Sequence, residues 1–122
     1  MRTDLTGHTE YCLGPLSQIP LGEGRTFQIS DQRVAVFRAR SGGVYATQAF
    51  CPHRGGPLAD GLLGGTTVVC PLHAWQFDLI TGVPVVGTCG VATYTTRLTE
   101  TGEIMLTVSA RQAPQSMYCA RQ

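Results

Sequence analysis

The sequence predicts an all-β fold in a single domain. Short runs of β-branched and aromatic residues alternate with Gly, Pro and Ser turns along the 122 residues, which is the pattern of strands. No apolar repeat of 3.6 residues continues far enough to indicate a helix. A chain of this length buries a core without disulfide crosslinks, and one domain is the expectation.

Eight segments carry the strand pattern. They are residues 11–13, 25–29, 33–39, 44–47, 66–69, 76–79, 91–98 and 103–108. Two of the intervening turns predict hairpins, because residues 41–43 (SGG) and 101–102 (TG) each separate two adjacent strands. The turns recur at intervals typical of a β-sandwich.

Composition excludes several classes of function. The formal net charge is +1, so no charge excess favours nucleic acid or an acidic membrane as a partner. No run of about 18 apolar residues predicts a membrane span. The first residues lack the apolar segment of a secretory signal. We therefore expect a cytoplasmic protein that binds neither nucleic acid nor membrane.

Five cysteines, an odd number, argue against a disulfide framework. Cys12 falls in a strand, where we expect a small buried apolar side chain. Cys89 is interpreted as a loop residue and Cys119 as an exposed thiol near the chain end. The remaining two cysteines belong to a different pattern.

Two short loops contain the residues that carry chemistry. Cys51 and His53 flank a proline in the first, and Cys70 and His73 flank Pro-Leu in the second, with sixteen residues between the loops. Mononuclear zinc sites commonly pair Cys with Cys in one clamp and His with His in another. A Rieske centre instead has two cysteines on one iron of a 2Fe–2S cluster and two histidines on the other. One Cys and one His in each loop favour the two-iron site, with zinc or a purely structural set as alternatives.

The longer motif resembles the Rieske family. Residues 51–58 (CPHRGGPL) resemble its first cluster-binding loop, and residues 70–78 (CPLHAWQFD) resemble its second. Residues 81–82 (TG) are similar to the turn that follows, and residues 66–69 read as the strand that leads into the second loop. This two-part pattern is far more specific than four ligands alone.

The resemblance implies a fold, a cofactor and a ligand set. The fold is an antiparallel β-sandwich with a small cluster-binding subdomain, here over residues 10–109. Residues 110–122 are then expected to form a flexible tail. One Rieske-type 2Fe–2S cluster is implied, with Cys51, His53, Cys70 and His73 as its ligands.

The neighbours of the ligands predict a low reduction potential. High-potential Rieske proteins have a disulfide between the two loops, and this chain has Gly56 and Leu72 at the matching positions. They also have serine and tyrosine hydroxyls that donate to the cluster, where this chain has Trp75 and Phe77. Such hydrogen bonds stabilise the reduced form, so their absence lowers the potential.

One residue departs from the family pattern. Glycine usually follows the second histidine, and this chain has Ala74. If that position needs a positive φ, alanine costs on the order of 1 kcal/mol.

The chain is expected to relay electrons, because it has no complete active site. It contains three histidines, and with two at the cluster the third cannot form the mononuclear iron site of a Rieske oxygenase. A GxGxxG dinucleotide fingerprint is also absent.

The identity of the partner is less specific in the sequence. Residues 14–24, 34–38 and 93–94, together with Cys89, resemble the small subunit of assimilatory NADH-dependent nitrite reductase, whose partner is a large flavin and sirohaem subunit. The alternative is a Rieske ferredoxin that carries electrons from a flavin reductase to a ring-hydroxylating dioxygenase. A third hypothesis is a zinc-stabilised or cluster-free interaction module.

Overall fold

The computed structural model is an antiparallel all-β fold, as the sequence predicted. It describes residues 2–3, 8–52, 55–72, 74–87 and 89–109. Within these ranges the strands are β1 (Arg2–Thr3), β2 (His8–Pro15), β3 (Gly24–Ile29), β4 (Gln32–Arg38), β5 (Val44–Gln48), β6 (Leu62–Gly64), β7 (Thr67–Val69), β8 (Gln76–Asp78), β9 (Pro84–Val86), β10 (Thr93–Leu98) and β11 (Glu103–Ser109). Two 3-10 helices span Leu16–Gln18 and Leu58–Asp60.

Each predicted strand segment contains a strand, and the short elements were missed. The unpredicted elements are β1, β6, β9 and the two 3-10 helices. Two or three residues are too few to establish an alternating pattern, so such elements depend on their neighbours. The segment predicted over residues 91–98 begins as a strand only at Thr93, because the Val91 N–H donates to the carbonyl of Gly82 (2.9 Å) instead of to a neighbouring strand.

The described strands form a large and a small antiparallel sheet. The large sheet has the order β1-β2-β11-β10-β5-β4-β3, and the small sheet has the order β6-β7-β8-β9. The β4–β5 and β10–β11 hairpins were both predicted from their turns. The small sheet contains the strands on both sides of the second Cys/His loop, so it corresponds to the expected subdomain.

Strand β4 lies between two cores. Its four central residues, 34–37, are all buried. Val34 and Val36 pack into one core with residues of β10 and β11, including Tyr94 and Ile104. Ala35 and Phe37 point to the opposite side. They pack there with the ligand-loop cysteines, with the second 3-10 helix and with residues in and next to the small sheet: Cys51, Leu58, Ala59, Val68, Cys70, Phe77, Leu79 and Val91. The second core therefore joins the cluster-binding subdomain to the large sheet.

One expectation for the other cysteines was wrong, and one disulfide was not anticipated. Cys12 is exposed and not buried, because its neighbours Tyr11 and Leu13 pack against the core and alternation turns Cys12 to the opposite face. Cys89 lies in the loop before β10 as predicted, but it is disulfide-bonded, contrary to the argument from the odd number of cysteines. Cys119 and the predicted tail, residues 110–122, lie outside the described residues.

The described residues contain no helix that is long and apolar enough to cross a membrane.

Candidate iron–sulfur site

The first ligand loop is a closed turn between β5 and the 3-10 helix Leu58–Asp60. The Cys51 N–H donates to the carbonyl of Gly56 (2.8 Å), and the Gly55 N–H donates back to the carbonyl of Cys51 (2.8 Å). An antiparallel bridge between Phe50 and Pro57 closes the base of the turn. Gly55 has φ of 73°, which glycine adopts without steric cost. The hydrogen bonds hold the Cys51 side chain inward, where it is fully buried.

The second ligand loop joins β7 to β8 in the small sheet. The Cys70 N–H donates to the carbonyl of Trp75 (2.7 Å), which closes the loop. The Leu72 N–H points at the Cys70 sulfur, with 3.4 Å between N and Sγ. Ala74 has φ of 57°. The position after the second histidine thus uses the left-handed conformation, and here the cost of alanine applies.

The two cysteine side chains meet at the contact between the loops. Cys70 is 2% exposed. Burial raises the pKa of its thiol to about 11; the Leu72 N–H lowers that pKa, and the hydrogen bond and charge of the Cys51 side chain raise it. Two buried sulfurs in contact become thiolates together only beside a strong positive charge. This pair of sulfur donors, one from each loop, therefore fits a metal centre, whose positive charge would stabilise the thiolates.

The structure brings two of the four proposed ligands, Cys51 and Cys70, into contact. His53 and His73 lie outside the described residues, and so does Arg54. Among the described residues there is accordingly no group of three or more metal-binding side chains. The two histidines remain predictions from the sequence.

Leu72 packs across the loop contact where high-potential Rieske proteins have their disulfide. A methyl group added to Gly56 would lie 3.0 Å from Cys70 Sγ and 3.1 Å from Leu72 Cγ. A side chain at residue 56 would therefore crowd this contact, and its neighbours would have to move by a few tenths of an ångström. Leu72 itself is 45% exposed, so it covers the sulfur on the solvent side of this contact.

Aromatic side chains occupy the two positions where hydroxyl donors were expected to be missing. Phe77 is fully buried in the core that contains both cysteines. Trp75 packs against that core, with its ring centroid 6.4 Å from that of Phe77. Gly87 lies directly beneath the Trp75 ring, and a side chain there would collide with it. Trp75 therefore serves as packing cover for this core.

Sequence reasoning missed Gln48, a buried amide three residues before Cys51. The only signal was a polar residue directly after the predicted strand over residues 44–47, and this is common at strand ends. Its partners come from residues 50 and 92, and the second of these is far away in the sequence.

Comparison with known proteins decides the family. Residues 9–95 match the Rieske 2Fe–2S domain, which is well over half of the chain. The chain belongs to the Rieske family. The cofactor of this Rieske protein is a 2Fe–2S cluster, and its role is that of an electron carrier.

Two of the relatives are ferredoxins of oxygenase systems. The ferredoxin component of naphthalene 1,2-dioxygenase/salicylate 5-hydroxylase systems from Ralstonia is 34% identical over 67 residues, 55% of this chain and 64% of that protein. The solved ferredoxin of carbazole 1,9a-dioxygenase from Nocardioides aromaticivorans is 29% identical, with a TM-score of 0.72 over 80% of this Rieske protein and 96% of that chain.

A third similar protein belongs to another system. A solved structure described as an NADH-dependent nitrite reductase small subunit from Mycobacterium tuberculosis has a TM-score of 0.78, at 24% identity, over 84% of this Rieske protein and 97% of that chain. At this identity the likeness concerns the fold. The chain also spans less than two thirds of the curated relatives it matches, such as 18% of a 3-ketosteroid-9-alpha-monooxygenase oxygenase component from Mycolicibacterium smegmatis.

Proposed function

We propose that this Rieske protein holds one 2Fe–2S cluster through Cys51, His53, Cys70 and His73 and relays single electrons within a larger oxidoreductase. The observation that supports this proposal is the buried contact between Cys51 and Cys70, one from each loop of the motif. When bound, the cluster supplies a site that accepts and releases one electron. The protein supplies the thiolates, excludes water from them and donates the Leu72 N–H to Cys70.

The ligand assignment is tested by single substitutions. We expect Cys70→Ser and His73→Ala to give protein without the visible absorbance and reduced EPR signal of a Rieske centre, since each removes a ligand. Cys12→Ser is the matched control, because Cys12 is an exposed free cysteine, and it should keep both signals. A colourless wild-type protein with one zinc per chain would contradict the assignment.

We propose further that the reduction potential is low. Phe77 and Trp75 offer no hydroxyl at the positions that match the hydroxyl donors of high-potential Rieske proteins, and Gly56 and Leu72 exclude the disulfide. Fewer hydrogen bonds to the cluster sulfurs leave the reduced form less stabilised. Potentiometric EPR should give a midpoint in the lower part of the Rieske range, and a value above about +100 mV would overturn this.

For the partner we propose the large flavin and sirohaem subunit of a NAD(P)H-dependent nitrite reductase. The fold match to a nitrite reductase small subunit, with a TM-score of 0.78, is compatible with this partner. The motif over residues 14–24 adds to this, since it resembles the same kind of subunit. In this role the protein would pass electrons inside a cytoplasmic assembly.

The second candidate is a ferredoxin that supplies a ring-hydroxylating oxygenase. Its support is sequence identity, which is 34% and 29% with ferredoxins of two dioxygenase systems against 24% with the nitrite reductase small subunit.

Kinetics of reoxidation separate the two candidates. The chemically reduced protein is mixed in a stopped-flow instrument with a purified nitrite reductase large subunit or with a purified oxygenase component, and the cluster absorbance is followed. Rapid reoxidation by the reductase together with co-purification from the native host supports the first candidate. Reoxidation by the oxygenase alone would replace it with the second.

A further inference from the structure

Gln48 is an unusual residue for its position. Among the described residues the buried polar side chains are Thr47 and Gln48, adjacent at the end of β5. Gln48 is 5% exposed and precedes Cys51 by three residues. Burying an amide is unfavourable unless its donors and acceptor find partners. An apolar side chain would fill the same space without this requirement, so the contacts of the amide explain its presence.

Both ends of the Gln48 side chain bind backbone. Nε2 donates to the carbonyl of Phe50 (2.8 Å), and Oε1 accepts the Ala92 N–H (2.8 Å). The Gln48 N–H in turn donates to the carbonyl of Ala92 (3.0 Å). The side chain therefore connects the start of the first ligand loop to the segment that precedes β10.

The contact with Phe50 fixes the peptide group that leads into Cys51. The Phe50 carbonyl and the Cys51 N–H belong to one planar unit. Gln48 holds the oxygen of this unit, while the carbonyl of Gly56 holds its N–H (2.8 Å). A peptide group that is restrained at both its oxygen and its N–H resists rotation about the adjacent backbone bonds. The orientation of this peptide group sets the direction of the Cys51 side chain.

The hydrogen bond from Ala92 connects Gln48 to the strand that follows the second ligand loop. Val91, next to Ala92, donates its N–H to the carbonyl of Gly82 (2.9 Å), and the Gly82 N–H donates to the carbonyl of Asp78 (2.7 Å). Asp78 ends β8, the strand that follows the second ligand loop. Hydrogen bonds, with one covalent step from Ala92 to Val91, thus connect the first loop through the Gln48 amide to the end of β8, next to the second loop.

We propose that Gln48 is a positioning residue for the cluster. Its side chain orients the Phe50–Cys51 peptide and connects the first ligand loop to the β8 side of the second ligand loop. The part of this inference that concerns the cluster rests on the proposed function. The part that concerns the loop does not, and the two are tested separately.

The loop is tested by hydrogen exchange with mass spectrometry on the full-length protein as purified. Gln48→Met keeps the length of the side chain and removes both hydrogen bonds. We expect faster exchange in peptides covering residues 49–58 and 90–92. The matched control is Gln18→Met, which removes a part-buried bond from Gln18 Nε2 to the Leu13 carbonyl (2.7 Å) on another part of the fold, and it should leave both segments unchanged.

A second variant covers the case in which Gln48→Met folds poorly. In Gln48→Glu, measured at a pH where the introduced carboxyl group is ionised, the carboxylate still accepts the Ala92 N–H but has no proton for the Phe50 carbonyl. We expect faster exchange over residues 49–58 and wild-type exchange over residues 90–92. Unchanged exchange over residues 49–58 in both variants would overturn the proposal, whatever the metal content of the protein.

The cluster is tested by spectroscopy and retention. Partners that orient metal ligands typically contribute about 10- to 100-fold to metal affinity. In both Gln48 variants we expect the visible absorbance to decay at least about tenfold faster in the presence of a chelator, and the EPR signal of the reduced protein to shift or broaden. Gln18→Met should match the wild type. Wild-type EPR and retention in the Gln48 variants would restrict Gln48 to a structural role, and a wild-type protein without any cluster would instead contradict the proposed function.

Discussion

Ala74 adopts φ of 57° directly after the position of His73, where an L-residue other than glycine is strained. The strain arises from crowding between the β-carbon and the backbone carbonyl. The sequence predicted an energetic cost at Ala74, because the family pattern has glycine at this position. The positive φ of Ala74 agrees with that prediction. A residue with such strain beside a ligand is held in place by its surroundings, here by the bond that closes the second loop.

Ala74→Gly should therefore stabilise the protein. The strain energy that glycine removes from the folded state is larger than the conformational entropy that it adds to the unfolded state. We therefore expect the free energy of unfolding to rise by about 0.5–1 kcal/mol. Denaturant unfolding measures it. Ser30→Gly at the β3–β4 turn is the matched control, since Ser30 has φ of 56° away from the ligand loops. It should be stabilised similarly, and a loss of stability in Ala74→Gly would contradict the reasoning.

Gly56 is the residue where the smallest change should have the largest effect on the site. Gly56→Ala places a methyl group 3.0 Å from Cys70 Sγ, so the two loops must separate by a few tenths of an ångström at the sulfur pair. We expect loss of most of the visible absorbance per protein, measured with the iron content. Gly64→Ala is the control, because nothing lies within 4 Å of a methyl group there, and it should keep the full absorbance. Equal absorbance in the two variants would show that the loops tolerate the shift.

At the scale of elements, β4 connects the fold to the site. Alternation along a strand separates its side chains into two faces, and in β4 each face has its own core. Val34 and Val36 pack inside the large sheet, whereas Ala35 and Phe37 pack beneath the ligand loops. Phe37 also lies against Gly24 of β3, where a methyl group would collide with its ring.

Substitutions on the two faces should separate stability from cluster binding. Phe37→Ala and Ile104→Ala both empty fully buried positions, and each should cost about 2–5 kcal/mol of unfolding free energy. Only Phe37→Ala should also accelerate cluster loss, because Phe37 shares a core with Cys51 and Cys70. Chelator challenge below the unfolding temperature measures the difference. The same rate of cluster loss in both variants would contradict a division into two cores.

At the scale of the whole molecule, we expect the small sheet to open at a lower free energy than the large sheet. The strands of the small sheet have three residues each, and β9 lies at its edge with Val85 and Val86 exposed. Strands β4, β5, β10 and β11 are longer and occupy interior positions of the large sheet. Short strands with little buried area open at lower free energy than the rest of a protein.

Hydrogen exchange should show this difference. We expect amides in residues 62–86 to exchange faster than those in β4, β5, β10 and β11, since opening of the small sheet leaves the large sheet folded. Mass spectrometry of the wild-type protein at several exchange times measures both regions. Equal protection would mean that the two sheets open together as one cooperative unit.

Local patterns were sufficient to predict much of the molecule. The eight strand segments, the hairpins at residues 41–43 and 101–102 and the two ligand loops were all found from alternation, turn residues and a motif. Each of these signals lies within a few consecutive residues. The exposure of Cys12 was not found, because the face of a strand that meets the core depends on the strands beside it.

The sequence by itself determined the fold class and the family resemblance, and it predicted the four ligands, because the residues of each loop motif are adjacent in the chain. Only the tertiary structure decided that Gly56 lies against Leu72 and Cys70, that β4 separates two cores and that Gln48 binds Phe50 and Ala92. The contact between Gln48 and Ala92 alone joins residues 44 positions apart. The formation of all these contacts depends on how the sheets pack, which no local pattern encodes.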